Sequence, residues 1–230
     1  MKTIGLIGGM SWESSVEYYR LVNQETVRRL GGQHNAKSVM VTVDFAEVER
    51  LQHLGDWESL GGLLAQAAGQ LQQGGADFVV LCTNTMHKVA NYITDAVSIP
   101  MLHIVDAVAH ELRKAGHTRV GLLGTRFTME QPFYRERLKE RFGIDTVVPE
   151  ADARQVIHEV IYNELCHGVI KEESRAAFQQ IIGRLGEAGA ESVILGCTEI
   201  GLLISAADSC IPVHDSTRIH AIAAVDLALR

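Results

Sequence analysis

Cys197, followed by Thr198 and Glu199, closes the apolar run Ser192-Val193-Ile194-Leu195-Gly196, and a thiol in that position can move a proton. An unperturbed cysteine titrates near ~8.5, and its pKa falls at a helix N-terminus or beside a cation. A helix expected over Thr198 to Ser205 would therefore favour the thiolate. A second polar turn, Thr83-Asn84-Thr85-Met86-His87, ends a second apolar run, Phe78-Val79-Val80-Leu81-Cys82. Aligned without a gap so that Thr83 meets Cys197, the runs superpose Gly75-Ala76-Asp77 on Gly189-Ala190-Glu191 and Val79-Val80-Leu81 on Val193-Ile194-Leu195. Two matching turns, each with a proton-transfer group, suit removal of a proton from one face of a carbon and return of a proton to the other. A threonine hydroxyl is too weak an acid to serve as a thiolate-like base, but it can donate or relay a proton. Cys82 precedes Thr83 by one residue, and successive strand side chains point to opposite faces, so Cys82 is expected to face the core.

These turns need strands and helices to hold them. Thr3 to Ile7 reads as a strand ending at Gly8-Gly9-Met10, with Ser11 placed to cap a helix. The turn resembles a dinucleotide fingerprint but fails it, because Gly5, Ile7 and Met10 stand at the three glycine positions. Backbone N–H groups at that helix start, Met10 among them, can still hold a carboxylate. Ser38 to Val43 reads as a strand, and Asp44 to Gln52 as a loop or short helix carrying Arg50, the only cation just past that strand. A guanidinium there could fork a substrate carboxylate, with Gln52 as a further contact. Helices are expected over Asp56 to Gln73, Met86 to Ile93 and Ile104 to Ala115. The pattern restarts at Val120-Gly121-Leu122-Leu123-Gly124, and Cys210-Ile211-Pro212-Val213 matches Ser98-Ile99-Pro100-Met101. Helices over Glu130 to Arg141, Asp152 to Leu165 and Glu172 to Glu187 and a strand over Ile144 to Val148 complete the second copy. An amphipathic helix from Ser216 is expected to pack back on the first.

The chain is thus expected to be α/β, two similar lobes with parallel-sheet cores and flanking helices, one of residues 1–101 plus 212–230 and one of 102–211. Ligands of open α/β sheets lie beyond the carboxyl ends of the strands, which puts the expected site in a cleft between the lobes. A net charge of −7 without a basic cluster excludes nucleic acid as a partner. No apolar segment approaches the roughly 20 residues of a membrane span, so a cytoplasmic protein without membrane contact is expected. Cys82, Cys166 and Cys210 read as buried packing thiols. Lys88 reads as exposed, and the absence of a lysine near either turn disfavours pyridoxal chemistry. Apolar residues on Met10 to Leu21 and on the last helix would serve either a homodimer contact or ordinary core packing.

Gly196-Cys197-Thr198-Glu199, Thr83-Asn84-Thr85-Met86-His87 and the opening Gly5-Leu6-Ile7-Gly8-Gly9-Met10-Ser11 together resemble the aspartate/glutamate racemase superfamily over essentially the whole chain. The resemblance implies duplicated flavodoxin-like or Rossmann-like units and a racemase of L- and D-aspartate or glutamate that needs no cofactor. Its members use two thiols on opposite faces of the α-carbon. This chain departs at the first, where Thr83 replaces the usual cysteine, so an unbalanced pair is expected, with Cys197 working on the L-enantiomer's proton. The resemblance assigns Asn84, Thr85 and Thr198 to the α-carboxylate and amino group. It places Arg50 at one flank and His167, where a lysine is usual, at the other. Glu199 either polarises the amino group or caps its helix, the cap being preferred, and His87 is expected to be a supporting hydrogen-bond donor. The alternatives are a one-thiol superfamily decarboxylase or isomerase of a dicarboxylate, and a degenerate ligand-binding member.

Overall fold

The computed structural model describes residues 1–230 and divides into two compact units, residues 1–103 with 220–230 and residues 104–219. In chain order the first unit carries β1 (Ile4–Gly8), α1 (Trp12–Leu30), β2 (Ser38–Thr42), α2 (Phe45–Leu54), α3 (Trp57–Gln73), β3 (Phe78–Leu81), α4 (Ala90–Ala96) and β4 (Met101–Leu102). The second carries α5 (Ile104–Lys114), β5 (Arg119–Gly124), α6 (Arg126–Glu130), α7 (Pro132–Phe142), β6 (Asp145–Val147), α8 (Ala151–Asn163), α9 (Glu172–Glu187), β7 (Ser192–Gly196), α10 (Ile200–Leu203) and β8 (Val213–Asp215). A last helix, α11 (Ser216–Leu229), starts in the second unit and ends in the first. Each unit holds one four-stranded parallel sheet, ordered β2-β1-β3-β4 and β6-β5-β7-β8. This is the strand order of the flavodoxin-like doubly wound sheet as far as four strands take it.

Local chemistry accounts for the element ends. Ser11, Asp44 and Asp56 cap α1, α2 and α3, accepting hydrogen bonds from the backbone N–H groups of Ser14, Ala46 and Ser59. The inner strands β1, β3 and β7 are buried along their whole length, as a sheet covered on both faces requires. At Gly9, φ is +91° and an added Cβ would lie 2.2 Å from the Val43 carbonyl oxygen, so only glycine fits where β1 turns into α1.

The repeat extends to single hydrogen bonds. Asp77 accepts from Thr3 N at 2.6 Å, and Glu191 accepts from Thr118 N at 2.6 Å. Val79 N donates to Pro100 O and Val193 N to Pro212 O, both at 2.8 Å. Both units therefore clamp their third strand at its start with a carboxylate and at its side with a post-proline strand.

Four expectations change. The expected boundary at 212 moves past Ile219, because β8 pairs with β7 in the second sheet. The stretch expected as one helix from Glu130 begins earlier, as α6, capped by Thr125, and restarts at Pro132. The helix expected over Thr198 to Ser205 shrinks to α10. Cys210 is exposed, not packed. No helix is long and apolar enough to cross a membrane.

Residues 220–230 are tied to the first unit by His220, which sequence reasoning did not single out. Its Nε2 lies 2.9 Å from the Leu102 carbonyl, which can only accept, so Nε2 carries the proton and Nδ1 accepts from Tyr18 Oη at 2.8 Å. Burial lowers the imidazole pKa to about 4, so it is neutral in the folded chain. Its unfolded value is near ~6.5. The unfolded chain thus binds the extra proton first, and the stabilisation is complete above that value and lost as pH falls through the folded one. Urea unfolding between pH 7 and 4 should cost the wild type about 3 kcal/mol more than His220→Gln, whose amide keeps both hydrogen bonds but does not titrate. Equal losses in the two proteins would remove His220 from this role.

Candidate active site

In the first unit the sheet hands over to the turn at Cys82, whose N–H makes the last bond to β1, to Ile7 O at 2.9 Å. The Cys82 side chain turns into the apolar cluster of Tyr18, Val22, Ala221 and Val225, and burial pushes its thiol pKa upward. Strand alternation then places Thr83 on the other side. Thr83, Asn84 and Thr85 are nearly buried at the head of a 3₁₀ turn over Thr85–Val89. His87 donates from Nδ1 to the Thr83 carbonyl at 2.8 Å, with its ring against His103, 4.5 Å between centroids. It supports the turn, as its sequence position suggested.

The flanking candidates are distributed around this turn. Gln52 donates to Met86 Sδ at 3.1 Å and so ties α2 to the turn, and Met10 lies in the same apolar cluster as Met86 and Leu51. Arg50 is exposed on α2. The Gly9 N–H is taken by Ser15 Oγ at 2.7 Å, which fixes the turn from β1 into α1. Lys88 is not simply exposed either: its Nζ sits 3.7 Å from the centre of the Trp57 ring, and burial lowers its pKa.

In the second unit Cys197, Thr198 and Glu199 form one buried constellation. Glu199 Oε2 accepts from the Thr198 hydroxyl at 2.7 Å and from the Cys197 thiol at 3.0 Å. This corrects the cap reading, since the Glu199 side chain does not cap α10. The expected lowering of the thiol pKa is also wrong. Four-residue α10 is too short to supply a helix field, while burial, and after it the Glu199 charge, raises the Cys197 pKa well above its ordinary value. The thiol is a protonated donor at rest. Cys166 packs against the cluster that contains Cys197, and His167 beside it is exposed at the end of a 3₁₀ turn over Leu165–His167. The Cys197 to Glu199 contact had a sequence signal in the two-residue spacing after a strand, but a helix beginning at Thr198 would have turned those side chains apart.

Thr83 and Cys197 occupy the same place in the two units, just past the third strand of each sheet. A family model described as Asp/Glu/Hydantoin racemase matches residues 7–224. A crystal structure from Yersinia pestis, of a protein assigned as an Asp/Glu racemase, is 50% identical, with all of both chains covered and a TM-score of 0.93. An aspartate racemase homologue from Pyrococcus horikoshii OT3 is 34% identical, again over all of both chains, with a TM-score of 0.85. The broad specificity amino-acid racemase RacX of Bacillus subtilis is 25% identical over 170 residues, 70% of this chain and 69% of its own.

Iodoacetamide labelling read by peptide mass mapping checks the thiol assignments. At pH 7 exposed Cys210 should label first and Cys82 and Cys197 slowly. Glu199→Gln, by removing the charge that opposes the thiolate, should bring Cys197 labelling in at a lower pH. Cys197 labelling as fast as Cys210 in the neutral wild type, or an onset moved upward by Glu199→Gln, would contradict the electrostatics described.

Proposed function

The chain belongs to the Asp/Glu/Hydantoin racemase family, and from that membership and the two matching turns we propose that it interconverts L- and D-aspartate or glutamate through Thr83 and Cys197 without pyridoxal phosphate. The observation that carries the reading is the pairing of positions: a thiol hydrogen-bonded to Glu199 after β7, a hydroxyl after β3, and Cys82 turned into the core. Coming from the family, the acidic substrate class agrees with Arg50, the cation on α2, as the partner of the substrate's second carboxylate.

Cys197 rests protonated, so it must first lose that proton to solvent. The cationic α-ammonium group of an entering amino acid, beside Glu199, offsets the carboxylate charge that opposes this loss. The thiolate then takes the α-proton, forming S–H as Cα–H breaks, and the electron pair passes into the α-carboxylate as an enolate-like species. Asn84, Thr85, Thr198 and the turn amides supply hydrogen bonds to the developing charge. Thr83 passes a solvent-derived proton through a water to the opposite face. Met10 and Gln52 shape the first turn, and His167 offers a donor on the second unit. Because enantiomers are equal in free energy, kcat/KM in the two directions must be equal, and any directional bias lies in kcat and KM separately.

The test is α-proton exchange and inversion in deuterium oxide, with each enantiomer of aspartate and glutamate offered separately. Wild type and Cys82→Ala should exchange, while Cys197→Ala and Thr83→Ala should lose about 10²-fold or more in rate. Arg50→Ala should raise KM about tenfold with a smaller change in kcat. An inactive Cys82→Ala beside an active Thr83→Ala would make Cys82 the second thiol. Carbon dioxide release from a malonate without amino-acid exchange would replace the racemase with a one-thiol decarboxylase. Ligand-induced thermal stabilisation with no turnover would mark a binding protein.

A further inference from the structure

The two units differ behind their turns as well as at them. With Thr83 aligned to Cys197 the repeat sets Gly201 opposite His87, and the matched strands β4 and β8 set Asp215 opposite His103. In the first unit the buried His87 imidazole fills the space behind the turn, hydrogen-bonded to the Thr83 carbonyl and 4.5 Å from the His103 ring between centroids. In the second unit that position has no side chain. The α10 backbone comes directly against the end of β8, where a Cβ on Gly201 would stand 2.8 Å from Asp215 Oδ2. Beside this contact a cavity of about 370 Å³ opens, within the size range of small-molecule sites. It lies wholly in the second unit, and none of Cys197, Thr198 and Glu199 lines it.

The lining selects the chemistry of an occupant. Leu195, Ile204, Val213 and Ile219 give it an apolar wall. Arg218 lines it from the first turn of α11, exposed, with its guanidinium in no ion pair. The Asp215 carboxylate lines the same space, with Oδ1 accepting from the Thr217 and Arg218 N–H groups at 2.9 and 3.2 Å. Glu111 adds a second carboxylate, held to Lys114 at 2.5 Å. His214 adds no charge at neutral pH, because burial, and after it His117, lowers its pKa. A polyanion would be repelled by the two carboxylates, and a hydrocarbon would bury the ions without compensation. An amine alone sets like charge against Arg218, and an acid alone sets like charge against Asp215 and Glu111.

The geometry points to a second ligand site, one for the zwitterion of an α-amino acid with an apolar side chain. Its carboxylate lies on Arg218, its ammonium group between Asp215 and Glu111, and its side chain on Leu195 and Ile204. Aspartate and glutamate are disfavoured, because their second carboxylate would face Asp215 and Glu111. The site bears on the thiol turn through α10, which follows Glu199 directly and lends Gly201 and its C-cap Ile204 to the cavity wall. Buried Cys197 meets a reagent only when its turn opens. A ligand that binds the closed cavity therefore holds the turn shut.

Calorimetric titration with L-leucine, read beside iodoacetamide labelling of Cys197, tests the site, and neither measurement needs turnover. Leucine should bind the wild type, and at ten times its Kd should slow Cys197 labelling about tenfold. Isoamylamine and isocaproate, which each lack one charged end of leucine, should bind about tenfold more weakly or worse. Arg218→Met and Gly201→His, the latter restoring the first unit's side chain, should each weaken leucine about tenfold or more and remove the protection. Labelling of unliganded Arg218→Met should match the wild type. A wild type that does not bind leucine overturns the inference. So does an analogue that binds as tightly as leucine, or protection that survives Arg218→Met, which would place leucine at the thiol turn itself.

Discussion

The register of β3 against β1 decides which side chain this protein presents at its first turn. Cys82 and Thr83 are neighbours on opposite sides of the same backbone, and sliding the strand by one residue would exchange a hydroxyl for a thiol. The register is fixed from outside the turn. At the start of the strand, Asp77 takes the Thr3 N–H, and at its side Val79 donates to Pro100. Between these clamps β3 is apolar and buried on both faces, so its burial pattern alone does not set the register, which makes the clamps at its ends decisive. In the second unit Glu191 and Pro212 act on β7 in the same way, and the same register delivers a thiol. The two units share a scaffold that presents a hydroxyl in one and a thiol in the other.

Burial sets the chemical condition of that thiol. Cys197 has an acceptor, Glu199, at hydrogen-bond distance, but the acceptor is anionic and the surroundings are apolar, so both effects oppose ionisation. A thiol activated by a helix terminus or a fixed cation would be a thiolate at all times and open to oxidation and alkylation. A thiol held neutral by a carboxylate is inert until a positive charge arrives. In the proposed reaction the substrate's own ammonium group is such a charge, which would tie activation to occupancy without a dedicated basic residue.

Much of this architecture was legible in the sequence because its signals are local or periodic. Ser11, Asp44 and Asp56 sit directly before apolar-periodic runs, and the helices begin there; the repeat aligned Thr83 with Cys197, and the two sheets place them at equivalent positions. The orientation of Cys82 followed from strand alternation alone. The misreadings came where tertiary contacts outweigh local ones. Thr198 to Ser205 has adequate helix formers, yet Glu199 spends its carboxylate on two neighbouring side chains and the helix is cut to one turn. His220 gave no signal because its partners, Tyr18 and the Leu102 carbonyl, are far away in sequence. His167 was placed by resemblance and Arg50 by its position past the second strand as well; both are exposed side chains, which packing within their own units does not orient.

The polar groups behind the two turns divide along the same line as the side chains those turns present. Behind Thr83 stand His87, hydrogen-bonded to the Thr83 carbonyl, and His220, held neutral by burial. Beside Cys197 stands a carboxylate. A hydroxyl that only relays a proton needs its position fixed and gains nothing from a nearby charge, because its own pKa lies far outside the range such a charge could bridge. A thiol can be moved across neutral pH by one charge, and it is the thiol that has one beside it. In the reading proposed above, threonine suits these surroundings, because a group that only relays a proton needs no charge beside it.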